Sequence, residues 1–199
     1  TMKSLLRPKA GDLFYIPAKN ADGTDGFVIA RYIELIEYNI GHLIEVFAHF
    51  YTEPPDSIED VDKSSRLFRP IMWDMCFFKP YPRWKILFSD QNYDKSQSDY
   101  ENIALAFDAG NVWIGGQNKK VSQEVFDSFE PSICWSIDNL ITRTNAHLSG
   151  IFSADEKYDY HRLPEHMRPD APVASTAIKA LALKMDQRFQ AWQTKSRKR

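Results

Sequence analysis

Two cysteines in 199 residues leave no disulfide framework to hold this chain together. Cys76 and Cys134 stand in apolar settings, Met75-Cys-Phe77 and Ile133-Cys-Trp135. They read as buried free thiols rather than as a disulfide or a metal pair. After Met2 no apolar segment of a secretory leader develops, because Lys3, Arg7 and Lys9 interrupt it. Thr1 ahead of Met2 reads as an expression remnant. No stretch nears the ~18 apolar residues of a membrane-spanning helix, so a soluble, cytoplasmic protein is expected. Internal repeats and low-complexity tracts are lacking too.

The motifs of familiar catalysis are also missing. There is no Gly-x-Ser-x-Gly elbow, no His-Glu-x-x-His pair, and no Gly-Lys-Ser/Thr after Gly115-Gly116. Glu59 and Asp62 lie close in sequence, yet nothing singles out an acid–base pair. His161 and His166, with Asp155, Glu156 and Asp159, match no metal-ligand spacing. The oxygen side chains at 90, 92 and 94 start like a calcium loop, but Lys95 stands where glycine is needed. No cofactor and no metal are expected, and the chain reads as non-enzymatic.

One further absence is local. From Tyr32 to Asp62 there is no Lys or Arg, while Glu34, Glu37, Glu45, Glu53, Asp56, Glu59, Asp60 and Asp62 accumulate. Repulsion within such a run is relieved by water, by distant cations or by a partner. The run is therefore either a solvated acidic face or a binding surface. Overall the net charge is −2, but residues 1–150 hold 15 Lys and Arg against 21 Asp and Glu. Residues 151–199 hold 10 against 6.

What the chain has is apolar patterning. A hydrophobic content of 43% with 14% aromatics supplies a core and excludes general disorder. The stretch around which the rest is organised is Gly11-Asp-Leu-Phe-Tyr-Ile-Pro17 with its return, Gly26-Phe-Val-Ile-Ala-Arg-Tyr-Ile33. Both runs are aromatic and β-branched, and Pro17 ends the first. Asn20, Asp22, Gly23 and Asp25 supply turn chemistry between them, and Gly26 permits an unusual backbone angle. A β-hairpin with a polar loop follows.

A Gly-Asp opening, an aromatic strand closing on Ile-Pro, a polar loop and a Gly-led strand together resemble the immunity protein 26 family of bacterial polymorphic toxin systems. The likeness is best over residues 9–33, weaker at 111–116 and 130–135, and absent after about residue 150. It implies a protein that neutralises a cognate toxin and carries no catalytic set.

Along the chain, a second hairpin is expected through Asn39-Ile-Gly41, with Ile44, Val46, Ala48 and Phe50 inward and Leu43, Glu45, Phe47 and His49 outward. Pro54-Pro55 opens an acidic loop in which Asp56-Ser-Ile-Glu59 resembles a capping box. The aromatic block Phe68, Trp73, Phe77, Phe78, Tyr81, Trp84 and Phe88 is cut by Pro70, Pro80 and Pro82 into strands near 70–76 and 84–88. A hairpin turns at Asp108-Ala-Gly-Asn111, and a helix is expected over 136–148 with Gly150 as its stop. A terminal helix over 172–194 carries the stripe Val173, Ala177, Leu181, Met185, Phe189 and Trp192, before the basic tail Lys195-Ser-Arg-Lys-Arg199.

The expected fold is α+β: a curved antiparallel sheet or small barrel from residues 11 to 117, a packed helix and a C-terminal helix. Residues 2–150 form the β-rich domain, and 151–199 form an irregular connection and a helix packed on the same domain. Two functions remain open. One is a toxin-binding protein whose partner has a basic active-site cleft, met by Glu53, Asp56, Glu59, Asp60 and Asp62 with Tyr51 as an aromatic anchor. The other is a nucleic-acid-binding module that uses the aromatics with Lys79, Arg83 and Lys85. The neighbouring acidic run would repel a phosphate backbone.

Overall fold

The structure is a computed structural model that describes residues 8–37, 41–74 and 86–196. Gly11, at φ +88°, turns the chain into β1 (Asp12–Lys19), and a side chain there would strike the Tyr93 Cβ. β1 pairs antiparallel with β2 (Asp25–Ile36) from Leu13 opposite Arg31 to Lys19 opposite Asp25. Asn20 N–H donates to Thr24 O at 2.9 Å to close the turn. Gly26 has a different role from the one expected. Its backbone angle is ordinary, but a Cβ would lie 2.2 Å from the Tyr51 carbonyl oxygen on the next strand.

The remaining strands are β3 (Gly41–Tyr51), β4 (Ile71–Trp73), β5 (Ile86–Ser89), β6 (Ala104–Asp108), β7 (Asn111–Ile114) and β8 (Gln117–Lys120). Then follow α1 (Gln123–Ser128), β9 (Glu130–Pro131), β10 (Cys134–Trp135), α2 (Ile137–Leu148) and α3 (Pro172–Ser196). The fold is α+β, as expected. The strands from 11 to 117 do not form one sheet or a barrel, however. A six-stranded sheet runs β10-β4-β3-β2-β1-β5, and a separate four-stranded sheet runs β8-β7-β6-β9. Pairing is antiparallel except for β10 beside β4 and β9 beside β6. The expected turn at 39–41 and the strand ends and proline corner within 75–85 lie largely outside the described residues.

Successive strand residues point to opposite faces, so an unbroken run of buried residues means that both faces are covered. Leu13 to Ile16 and Phe27 to Ile33 are such runs, and so is Leu43 to Phe47. The expected outward set on β3 is therefore corrected: Leu43, Glu45 and Phe47 are buried, and only His49 is exposed. The second sheet supplies part of the cover, bringing Ile103, Leu105 and Trp113 against Ile33, Ile36, Leu43 and Met72. α3 supplies more: Phe189 stacks on Tyr15 with centroids 3.8 Å apart and meets Phe27 edge-on at 5.0 Å.

Both expected helices are present. α2 starts at Ser136, whose hydroxyl accepts from Asn139 N–H, and ends where Gly150 N–H donates to His147 O at 3.0 Å. Ile133 lies before the helix and is exposed. Arg143 is wholly buried on α2 and pairs bidentately with Glu130 of β9, at 2.5 and 3.1 Å. On α3 the buried set is Ala174, Ile178, Leu181, Ala182, Met185 and Phe189. The expected stripe is right from Leu181 to Phe189 but slips at its start, where Val173 is 75% exposed. A strict four-residue step drifts around a helix of 3.6 residues per turn, and the packed face follows the mixed three-and-four spacing. Cys134 is exposed on the edge strand β10, not buried, and Cys76 lies outside the described residues.

Trp113 is 6% exposed in mid-strand with Tyr100 edge-on at 5.6 Å. Trp113→Ala should cost about 3–5 kcal/mol in denaturant unfolding. A second expectation concerns His147, which burial and the neighbouring Arg143 charge push down to about 4. The unfolded chain then binds a proton that the folded chain refuses. Stability is unaffected by this group above its ordinary value near 6.5. It falls by about 3 kcal/mol in all as pH drops through the window from there to about 4. Melting of a His147→Gln protein should fall less steeply with pH across that window than melting of the parent.

Candidate functional site

The acidic segment leaves β3 at Tyr51 and returns through residue 70 to β4. Its acids do not share one fate. Glu34 on β2 pairs with Lys95 at 2.5 Å and accepts from the Tyr100 hydroxyl. Glu45 on β3 is buried between Arg31 at 3.2 Å and Arg66 at 2.8 Å, and Ser98 donates to it at 2.5 Å. Distant cations thus compensate the strand acids. Glu53, Asp56, Glu59, Asp60 and Asp62 all stand exposed on the loop.

That loop is pinned from within. Pro55 and Val61 are buried, and Ile58 packs half-buried against the core. Ser57 donates both its amide, at 3.2 Å, and its hydroxyl, at 2.8 Å, to Asp60 Oδ2. The expected capping box at 56–59 is therefore a tight turn displaced by one residue, closed by Ser57 and Asp60. Lys63 Nζ donates to Ile58 O at 2.8 Å and draws the two ends of the turn together. Asp62 Oδ1 accepts from the Ser64 hydroxyl at 2.6 Å and the Ser64 amide at 2.9 Å. Those bonds hold the Asp62 carboxyl below its ordinary range.

Tyr51 takes a different part from the one expected. Its ring is 9% exposed and stacks on Phe27 with centroids 5.5 Å apart. It is a core residue, not a free anchor for a partner. Its hydroxyl oxygen accepts the Asp62 amide at 2.8 Å, and so clamps the far end of the acidic loop to the sheet.

The aromatic block offers no comparable surface among the described residues. Phe68 and Trp73 are buried and Phe88 is half-buried. Phe77, Phe78, Lys79, Tyr81, Arg83, Trp84 and Lys85 lie outside those residues, as do the tail positions 197–199. Among the described residues no group of three or more His, Cys, Asp or Glu could hold a metal ion, and no helix is long and apolar enough to cross a membrane.

The partners of Glu45 were not foreseen from sequence. The one available signal was Arg31 itself, a lone cation inside an otherwise apolar strand pattern. No protein-family model matches this chain, and no curated protein or solved structure does.

Tyr51→Phe keeps the stacked ring and removes only the clamp. It should cost about 1 kcal/mol of stability, the net worth of one hydrogen bond. Hydrogen exchange at the Asp62 amide should quicken by more than the global loss explains.

Proposed function

We propose that this chain is a non-enzymatic immunity protein that binds and neutralises a cognate bacterial toxin inside the cell. The observation that carries the reading is the pinned loop with Glu53, Asp56, Glu59, Asp60 and Asp62 exposed on it. A surface that is ordered before binding loses less conformational freedom when a partner docks. Exposed carboxylates also raise the capture rate of a basic target, by ~10–1000-fold where the two potentials are complementary. A toxin that acts on nucleic acid carries such a basic cleft, because it must hold phosphates. The resemblance over residues 9–33 supports the same reading. Its two glycines have structural work there, Gly11 as a left-handed turn and Gly26 as a close strand contact. Lys79, Arg83 and Lys85, the cations of the nucleic-acid alternative, lie outside the described residues, and Phe68 and Trp73 of its aromatic set are buried.

The test neutralises four exposed acids together, as Asp56→Asn, Glu59→Gln, Asp60→Asn and Asp62→Asn. The toxin to use is the product of a neighbouring reading frame or one captured by pull-down. Association should slow by at least about tenfold at low salt and its salt dependence should flatten. An unchanged rate with an unchanged salt slope would remove the loop as the binding surface.

A further inference from the structure

An open cleft of about 750 Å³ lies where the 63–70 segment faces the 97–104 turns and β9. That volume is within the range of small-molecule sites. Lys63, Arg66 and Arg69 line it.

Backbone carbonyls hold these cations in place. Lys63 donates to Ile58 O at 2.8 Å, and Arg69 donates to Ser128 O at 2.8 Å and to Asp155 O. Arg66 reaches Ser98 O as well as Glu45. A carbonyl satisfies a donor but leaves the charge in place, and neither Lys63 nor Arg69 has an ion-pair partner among the described residues.

The carboxylates of the cleft do not restore the balance. Glu45 is shared by Arg66 and by the buried Arg31 behind it, so two guanidinium groups face one carboxylate. Among the described residues Arg31 Nε has no hydrogen-bond acceptor. Glu130 is matched by Arg143. Among the acids that line the cleft, Asp99 and Asp155 oppose the surplus and stand exposed, while Asp90, Glu59 and Asp62 act on Lys63 from outside the lining. Burial above all, with Arg31 second, pushes the Lys63 ammonium below its ordinary range, against the opposite pull of Asp90, Glu59 and Asp62.

We infer that this cleft is a binding site for a small oxyanion ligand, a molecule bearing a carboxylate or a phosphate group held by Lys63, Arg66 and Arg69. Guanidinium groups whose positions are already fixed lose little freedom on receiving such a group. A nucleic-acid strand is disfavoured, because the loop acids at 53–62 precede Lys63 directly. The site shares Lys63 with the pinned acidic loop but does not rest on the toxin-binding reading, and Arg66 and Arg69 take no part in pinning that loop.

The experiment follows melting and titration calorimetry of the full chain with inorganic phosphate and, separately, with succinate, each against sodium chloride at matched ionic strength. At least one of the two should raise the melting temperature beyond chloride and bind saturably. Phosphate alone would identify a phosphate site, succinate alone a carboxylate site, and both a general oxyanion site. Lys63→Gln with Arg69→Gln should weaken binding about tenfold or more. Asp99→Asn with Asp155→Asn removes opposing rim charge and should tighten it severalfold. If the first pair does not fold, the rim pair decides alone. No effect beyond chloride from either anion, or binding unchanged in the variant pairs that fold, would overturn the site.

Discussion

Strands β1, β2 and β3 have almost no solvent face, and most of the remaining architecture answers to that fact. A strand covered on both sides needs cover from two directions. The second sheet and the two long helices provide it from distant parts of the chain. Covered strands also forbid an isolated charge. Arg31 and Glu45 sit directly opposite one another in the β2–β3 register, where each neutralises the other. A slip of one residue would leave Arg31 buried without its carboxylate, which costs several kcal/mol. The pair therefore fixes register, whatever its net contribution to stability.

The same constraint organises the periphery. Arg66 leaves the β3–β4 loop to reach Glu45, and Ser98 leaves the turns after β5 to reach the same carboxylate. Tyr93 completes the group, bonding Ser98 at 2.7 Å while its ring lies 4.8 Å from the Arg31 guanidinium. At the other side Arg143 joins α2 to β9, with its guanidinium 4.6 Å from Phe68 and 4.8 Å from Trp135. Two buried charge groups thus tie separate elements together, and each lies within a shell of aromatic rings.

Local elements were legible in the sequence because local chemistry makes them. The 20–24 and 108–111 turns carry Asn, Asp and Gly, and the strands beside them are β-branched or aromatic. The stop at Gly150 closes α2 in the same way, while the cap at Ser136 is a finding of the structure. The division into two sheets was not legible, since period-two patterning says nothing about which strands are neighbours. Nor was the burial of Glu45 and Phe47. Alternation assigns one inward face, and only tertiary contacts reveal a second. Tyr51 illustrates the limit at a site residue: beside an acidic loop a tyrosine reads as an anchor for a partner, yet the ring completes the core and its hydroxyl holds the loop.

The segment from Tyr51 to Arg69 changes sign along its length, acidic to Asp62 and basic from Lys63. Its two halves are treated oppositely by the fold. The acids remain in water, where each keeps its charge at little cost, and the cations turn toward carbonyls and the buried Glu45. Lys63 connects the halves. Its ammonium closes the acidic turn by bonding Ile58 O, and it also lines the cleft on the basic side. Physiological salt screens the acids from a partner beyond ~8 Å, and lower salt extends their reach. A basic partner is therefore drawn to the loop from farther away at low salt, while at physiological salt the acids act mainly on the close approach.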